Sequence, residues 1–289
     1  MKRLLLFLSL VAISTLTCFA SRTLTDEMGR TVVVPDHPHR IICLMPSVTD
    51  TVFALGAGDD VVAISDYTEY PAAALKKPSV GDLIRPSIET IISLHPDLVI
   101  GYQPKGPLEV TDQLERIGIP IFLVSHDVGR GIAGIMHSVE TIGQALNRTE
   151  QADALVHSLQ LRVDAVKART RGLPAPRVFM PIWYDPITTI GKHAFITEII
   201  EAAGGRSVTD DISEEWPQVS MEVVLERAPE ALVLERSGKM TLQVLQSRPG
   251  WDSLAAVRQH RVYYIDDRIK FASPIAIDAL EDLAKQFHP

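Results

Sequence analysis

The segment SIETIISLHPDLV, Ser87 to Val99, is written a second time as SMEVVLERAPEAL, Ser220 to Leu232. In both copies a serine precedes an apolar helix-forming run, a glutamate stands two residues after it, and a proline and an acid introduce a short apolar stretch. Ser87 and Ser220 can each cap a helix start, Glu89 and Glu222 fall in the first turn where the helix dipole favours an anion, and Pro96 and Pro229 stop the helix before a strand. That local account explains either copy alone. Two copies in one chain call for two similarly built halves.

The rest of the pattern agrees. Strands are expected at Ile41 to Leu44, Val61 to Ile64, Leu98 to Ile100 and Ile121 to Val124, with helices at Asp50 to Leu55, Ile88 to Leu94 and Val110 to Ile117. From Ile132 to Arg169 the chain has no proline, and apolar residues recur at steps of three and four through Ile135, Val139, Ile142, Leu155, Leu159 and Val163. This reads as one helix roughly 50 Å long, stopped by Gly172, Pro174 and Pro176. Alternation then resumes: strands at Val178 to Met180, Thr188 to Ile190, Leu232 to Leu234 and Val262 to Ile265, helices at Ala194 to Ala203, Met221 to Ala228 and Ile275 to Phe287. The expected class is α/β, with two Rossmann-like lobes, each a mostly parallel sheet flanked by helices, bridged by one long helix. The divisions are 1–20 for a signal segment, 21–131 for the first lobe, 132–171 for the bridge and 172–289 for the second lobe. A weaker echo links TVFALGAGDDVV and TEIIEAAGGRSV, each an apolar helix closed by glycines.

The start, MKRLLLFLSLVAISTLTCFASRT, joins Lys2 and Arg3 to an apolar run and small residues before Ser21, the form of a secretory signal cleaved after Ala20. Lipidation at Cys18 is the rival reading; Thr15 and Thr17 stand where a lipoprotein signal carries other residues. Cleavage removes two cations and moves the net charge from −8 to −10. An acidic exported chain is unsuited to nucleic acid. Only Cys43 would remain, which excludes an internal disulfide and a cysteine-rich metal site, and its setting RIICLMP marks it as a buried strand residue.

Catalytic signatures are missing: no G-x-S-x-G, H-E-x-x-H or Walker A sequence is present. The histidines, among them His37 and His39 in a proline-rich loop and His95 at the end of the first repeat, read as surface residues. What stands out is the placement of aromatics at strand-to-helix loops, where doubly wound sheets build their sites: Tyr67 and Tyr70, Tyr102, Trp183 and Tyr184, Trp216, and Phe271. Aromatics make up only 6% of the chain, so their concentration there favours a flat or bulky apolar ligand held between the lobes.

At RIICLMPSVTDTVFALGAG, DYTEYP, PDLVIGY, TTIGK, the Gly204-Gly205 pair, WPQVS and FASP, the chain resembles the periplasmic receptors of ABC importers whose lobes are bridged by a rigid helix. These receptors serve cobalamin, ferric siderophores and haem, and WPQVS is most similar to the cobalamin branch. The resemblance implies a corrinoid cargo, no cofactor and no catalysis. It also implies a cleft lined by Tyr67, Tyr102, Trp216 and Asp267, to which the loop aromatics Trp183, Tyr184 and Phe271 are added as candidate ligand contacts. Leu83, Thr188 and Phe271 depart from that branch, which carries an aromatic, a phenylalanine and an arginine there. It further implies a periplasmic monomer whose partner is a dimeric inner-membrane permease with its ATPase. Glu89 and Glu222 match the acids that dock on the two permease halves, so a two-fold partner accounts for the duplicated unit. The alternative cargo is a ferric siderophore or haem, for which Arg85, Arg206 and Arg268 are the candidate cleft cations. An exported hydrolase or metal-dependent enzyme is the reading from a different class.

Overall fold

The computed structural model describes residues 20–81, 85–102, 109–125, 131–236, 238 and 240–289. The expected signal segment up to residue 19, Cys18 within it, and Leu83 lie outside them.

Two parallel four-stranded sheets organise the molecule. The first contains β3 (Ile41–Cys43), β4 (Val61–Ile64), β5 (Leu98–Tyr102) and β6 (Ile121–Val124) in the order β4-β3-β5-β6. The second contains β7 (Arg177–Phe179), β10 (Arg206–Ser207), β11 (Ala231–Glu235) and β12 (Val262–Ile265) in the order β10-β7-β11-β12. Numbered within each lobe, both sheets run 2-1-3-4, so the duplication seen in the repeat extends to the topology. Both faces of each sheet are covered, which is why its central strands are largely apolar, with polar residues confined to strand ends and the edge strand β10. In the first lobe Ile41, Cys43, Leu98, Ile100 and Phe122 face one cluster while Ile42, Val99, Ile121 and Leu123 face another. In the second, Val178, Ala231, Val233 and Ile265 alternate with Phe179, Leu232 and Leu234 in the same manner. Two antiparallel hairpins are additions to this plan: β1 (Ser21–Thr25) with β2 (Thr31–Pro35), and β8 (Pro181–Tyr184) with β9 (Ile187–Thr189).

The repeated unit forms α2 (Ile88–Ser93) and α7 (Met221–Arg227), each leading into the third strand of its sheet. Ser87 Oγ accepts from the Thr90 N–H at 3.2 Å and Ser220 Oγ from the Val223 N–H at 3.4 Å, which are N-caps. The likeness continues to the last residue before each proline, because His95 and Ala228 both turn left-handed, with φ of 48° and 43°. α1 (Pro46–Ala54) and α6 (Phe195–Ala202) are a second matched pair. Each ends in a Schellman motif around a left-handed glycine: Gly56 and Ala57 donate to Phe53 O and Val52 O, and Gly204 and Gly205 to Glu201 O and Ile200 O.

The bridge differs from expectation. In place of one helix over 132–171 there are two, α4 (Gly131–Ala145) of 15 residues and α5 (Thr149–Thr170) of 22, about 22 and 33 Å long. Asn147 takes φ 56°, the Arg148 N–H returns to Gly143 O at 2.7 Å, and the Asn147 N–H to Gln144 O at 3.1 Å, so a Schellman motif with asparagine in the glycine position ends α4. Gly143 then lets α5 fold back closely, since a Cβ there would lie 2.4 Å from the Cβ of Ala152. Both helices still span the two halves. Ile132, Ile135 and Met136 of α4 join the second lobe's core while Val139, Ile142 and Ala145 join the first, and α5 crosses the other way from Ala152 to Leu159, Val163 and Val166. The chain closes with α3 (Glu109–Arg116) in the first lobe and α8 (Leu242–Gln246), α9 (Ala255–Arg258) and α10 (Ala276–Phe287) in the second.

Candidate ligand-binding cleft

In a 2-1-3-4 parallel sheet the connections leave the first strand toward opposite faces, and the loops beyond the carboxyl ends of strands one and three diverge to open a crevice. In the first lobe those ends are Leu44 and Met45 after β3 and Tyr102 closing β5. A cavity of about 30 Å³ lies there, bounded by Met45, Ser47, Thr51, Tyr102, His137 and, from the second lobe, Ala272. Its polar wall is Glu27 from the β1–β2 turn, which accepts the Ser125 N–H and lies 3.2 Å from His137 Nε2. Burial, together with the negative charge of Glu215 in the second lobe, pushes the Tyr102 phenol up. A second inter-lobe cavity, about 10 Å³, is lined by Asp50, Glu69 and Tyr70 on one side and Arg268, Phe271 and Ser273 on the other. Each has room for a water molecule or two. Tyr102 and Phe271 therefore both border the space between the lobes, and the Arg268 guanidinium stacks 4.6 Å above the Tyr70 ring.

Tyr67, Trp183 and Trp216 are 59%, 46% and 40% exposed. Tyr67 lies in the loop after β4 and Trp216 in the loop after β10, each following the second strand of its sheet. The third tryptophan, Trp251, is buried in the second lobe, so exposure distinguishes the two at the strand ends. Trp216 is held against β9: the Thr189 N–H donates to Pro217 O at 3.0 Å, Gly191 to Glu215 O at 2.9 Å and Val219 to Ile187 O at 2.9 Å. Trp183 and Tyr184 lie on the strand β8, where the sequence suggests a loop. Their rings stack, 5.0 Å apart at 15°, and differ in what covers the outer side of each. Trp183 is exposed, its Nε1–H donating to Asp185 O at 2.9 Å, whereas Tyr184 packs on the Phe179–Leu232 cluster with the Arg248 guanidinium 3.4 Å from its ring centre. Asp267 is half-buried in the short turn that follows β12.

Of the three candidate cleft arginines, Arg206 is displaced and Arg268 neutralised. Arg206 stands at the start of β10, at the amino ends of the strands, paired with Asp210 at 3.2 Å. Arg268 lines the second cavity but is held in a fork by Asp266 at 2.6 and 2.7 Å, and that pairing keeps the Asp266 carboxyl below its ordinary range. Arg85 is exposed just ahead of α2. Glu89 and Glu222 are exposed in the first turns of α2 and α7. His37 and His39 are exposed beside Asp36 and Asp60, and among the described residues no group of three or more His, Cys, Asp or Glu side chains converges as a metal site.

Several polar residues at the cleft carry no local sign in the sequence. Glu27 lies in a turn and His137 on a helix that reads as plain bridge, and they meet only because the β1–β2 hairpin packs beside β6. Asp50 did leave a trace, an acid among the apolar residues Val48 and Val52.

Two lobes of one topology, with the carboxyl ends of their strands turned toward a shared crevice rimmed by exposed aromatics, are the architecture of a receptor for a small molecule. The Periplasmic binding protein family model matches residues 41–269, and the chain belongs to that family. It is 30% identical over 274 residues to the uncharacterised ABC transporter substrate-binding lipoprotein YvrC of Bacillus subtilis, covering 92% of this chain and 85% of the relative. It is 31% identical over 195 residues to the vitamin B12-binding protein of Yersinia pestis, covering 68% and 69%. Its fold matches the periplasmic haem-binding protein RhuT from Roseiflexus sp. RS-1 with a TM-score of 0.78 at 27% identity, covering 86% of this chain and 98% of the other. The protein is the extracytoplasmic substrate-binding component of an ABC transporter, with a small-molecule ligand and a membrane permease as its partners.

Proposed function

We propose that this protein captures a corrinoid between its lobes and delivers it, as a monomer and without breaking a bond, to a dimeric permease that docks on Glu89 and Glu222. The observation that carries the reading is the set of largely exposed aromatics at the strand ends of both lobes, Tyr67 on one and Trp183 and Trp216 on the other. Such side chains normally bury much of their 150–250 Å² and gain by being covered, and a corrinoid offers a broad, mostly apolar macrocycle to cover them. The likeness to a vitamin B12-binding protein supports the same cargo. Tyr102, Asp267 and Phe271 complete the proposed contacts, while Tyr184 supports Trp183 through their stacked rings, 5.0 Å apart at 15°.

Haem is the rival cargo, favoured by the fold neighbour that is named as haem-binding. For an anionic siderophore, Arg268 is neutralised by Asp266 and Arg206 lies at the other end of its strand, which leaves Arg85 as the candidate cation. Calorimetric titration of Ser21 to Pro289 with cyanocobalamin, cobinamide, haem and a ferric hydroxamate decides among them. Stoichiometric submicromolar binding of cyanocobalamin alone or with cobinamide is expected; binding of haem or the hydroxamate with no heat from either corrinoid overturns the proposal. Export through a cleaved signal, as against lipid at Cys18, is read from the intact mass of the exported protein.

A further inference from the structure

The matched helices α1 and α6 each place a carboxylate at the start of a helix that follows the fourth strand of the other lobe's sheet. Asp50 Oδ2, on α1 of the first lobe, accepts the Ile275 N–H at 3.2 Å where α10 of the second lobe begins. Glu198 Oε2, on α6 of the second lobe, accepts the Ile132 N–H at 2.7 Å in the first turn of α4, the helix that follows the last strand of the first lobe. These are one position in the duplicated plan: each acid stands six residues before the left-handed glycine that closes its helix, Gly56 or Gly204, and each target helix follows the fourth strand of its sheet.

The physics of the two contacts is that of a helix start, whose first N–H groups have no partner within the helix and whose dipole end is positive. A charged acceptor there makes a strong hydrogen bond. Gly131 admits Glu198, because a Cβ at that position would fall 1.6 Å from Glu198 Oε2. Asp50 is only 7% exposed, and burial pushes its carboxyl up. Holding a carboxylate in such a place costs free energy unless a donor compensates it, and the Ile275 N–H across the lobe boundary is that donor.

We propose that Asp50 and Glu198 are a symmetric pair of latches, positioning residues that set the spacing of the lobes and therefore the width of the cleft. Asp50 ties the first lobe directly to the second. Glu198 ties the second lobe to the start of α4, whose other half is embedded in the core of the first. The cavities beside Asp50 and Tyr102 are water-sized in the latched form, and parting the latches is what enlarges this space. The proposal rests on the receptor architecture and not on which cargo is bound.

The test is a distance between spin labels on Lys76→Cys in the first lobe and Ser213→Cys in the second, both exposed, in the exported protein with no ligand present. Wild type is expected to give one short-distance population. Asp50→Ala and Glu198→Ala each raise the ratio of long to short distances about tenfold, the loss expected for one charged hydrogen bond, and the double variant raises it further. Gly131→Ala, which expels the Glu198 carboxylate without altering it, reproduces the Glu198→Ala distribution. Should Asp50→Ala fail to fold, Asp50→Asn, of the same shape with a neutral acceptor, is measured in its place and shifts in the same direction. Distributions of the Asp50 and Gly131 variants that coincide with wild type overturn the proposal. Because no ligand is present, that failure is separate from any failure of the corrinoid titration.

Discussion

Replacing Tyr67 by alanine tests the aromatic cleft most directly, because the exposed part of this side chain is large and contributes least to the fold. Tyr67 is 59% exposed, which for a side chain on the order of 200 Å² leaves about 120 Å² for a ligand to cover. At roughly 25 cal/mol per Å² full coverage contributes about 3 kcal/mol. A flat macrocycle lying on one face reaches about half of it, or about 1.5 kcal/mol. The dissociation constant for cyanocobalamin should therefore rise between about tenfold and about a hundredfold, measured by calorimetry on the purified exported protein. The fold should tolerate the change, so thermal unfolding without ligand reports only a small loss. An affinity within twofold of wild type, in a protein that binds the corrinoid stoichiometrically, would refute the assignment of Tyr67 to the binding surface and the area argument with it.

Reversing charge at both Glu89 and Glu222, each exposed on its own lobe, is expected to abolish uptake in cells carrying the cognate permease while leaving ligand affinity unchanged; a loss of affinity would show that they are not docking residues. Cys43 is buried and its thiol is pushed up to about 12, so the native protein should not react with a thiol reagent near neutral pH and should react fully once unfolded. Arg162 on α5 grips Glu281 of α10 at 2.9 Å, which holds the Glu281 carboxyl below its ordinary range. A lowered folded value means that this pair stabilises the protein above the unfolded carboxylate pKa of about 4.3 and loses its effect as the pH falls through the folded value. The difference in Tm between wild type and Arg162→Ala should accordingly be present at pH 7 and shrink steadily below about pH 4.

Where the sequence and the structure part company, the reason is the same each time. The break between α4 and α5 is made by Asn147 in a left-handed conformation, a place that glycine fills far more often, and by Gly143, whose smallness matters only against Ala152. Periodicity runs straight through such a break because both helices are amphipathic. Trp183 and Tyr184 are adjacent letters with one character; in the stacked pair packing leaves the Trp183 ring exposed and puts Tyr184 under Arg248. Arg206 reads as a cleft cation until the direction of β10 places it at the wrong end of its strand. Asp50 reads as one more polar residue in α1 until Ile275, 225 positions later, arrives at its carboxylate.

By itself the sequence determined the paired lobes, seven of the eight strands of their sheets in outline (β10, Arg206–Ser207, being the one it missed), the serine caps and proline stops of the repeat, and the concentration of aromatics at strand ends. All of these are set by interactions within a few residues or by a hydrophobic period, and such signals survive in one dimension. Only the tertiary structure decided which of those aromatics stay exposed, that Arg268 is spent on Asp266, that the bridge is a helical hairpin, and that two carboxylates at equivalent positions cap the helices that follow the other sheet's fourth strand. Each of these depends on groups brought together from distant parts of the chain, and distance along the chain leaves no local mark of the partner that packing will supply.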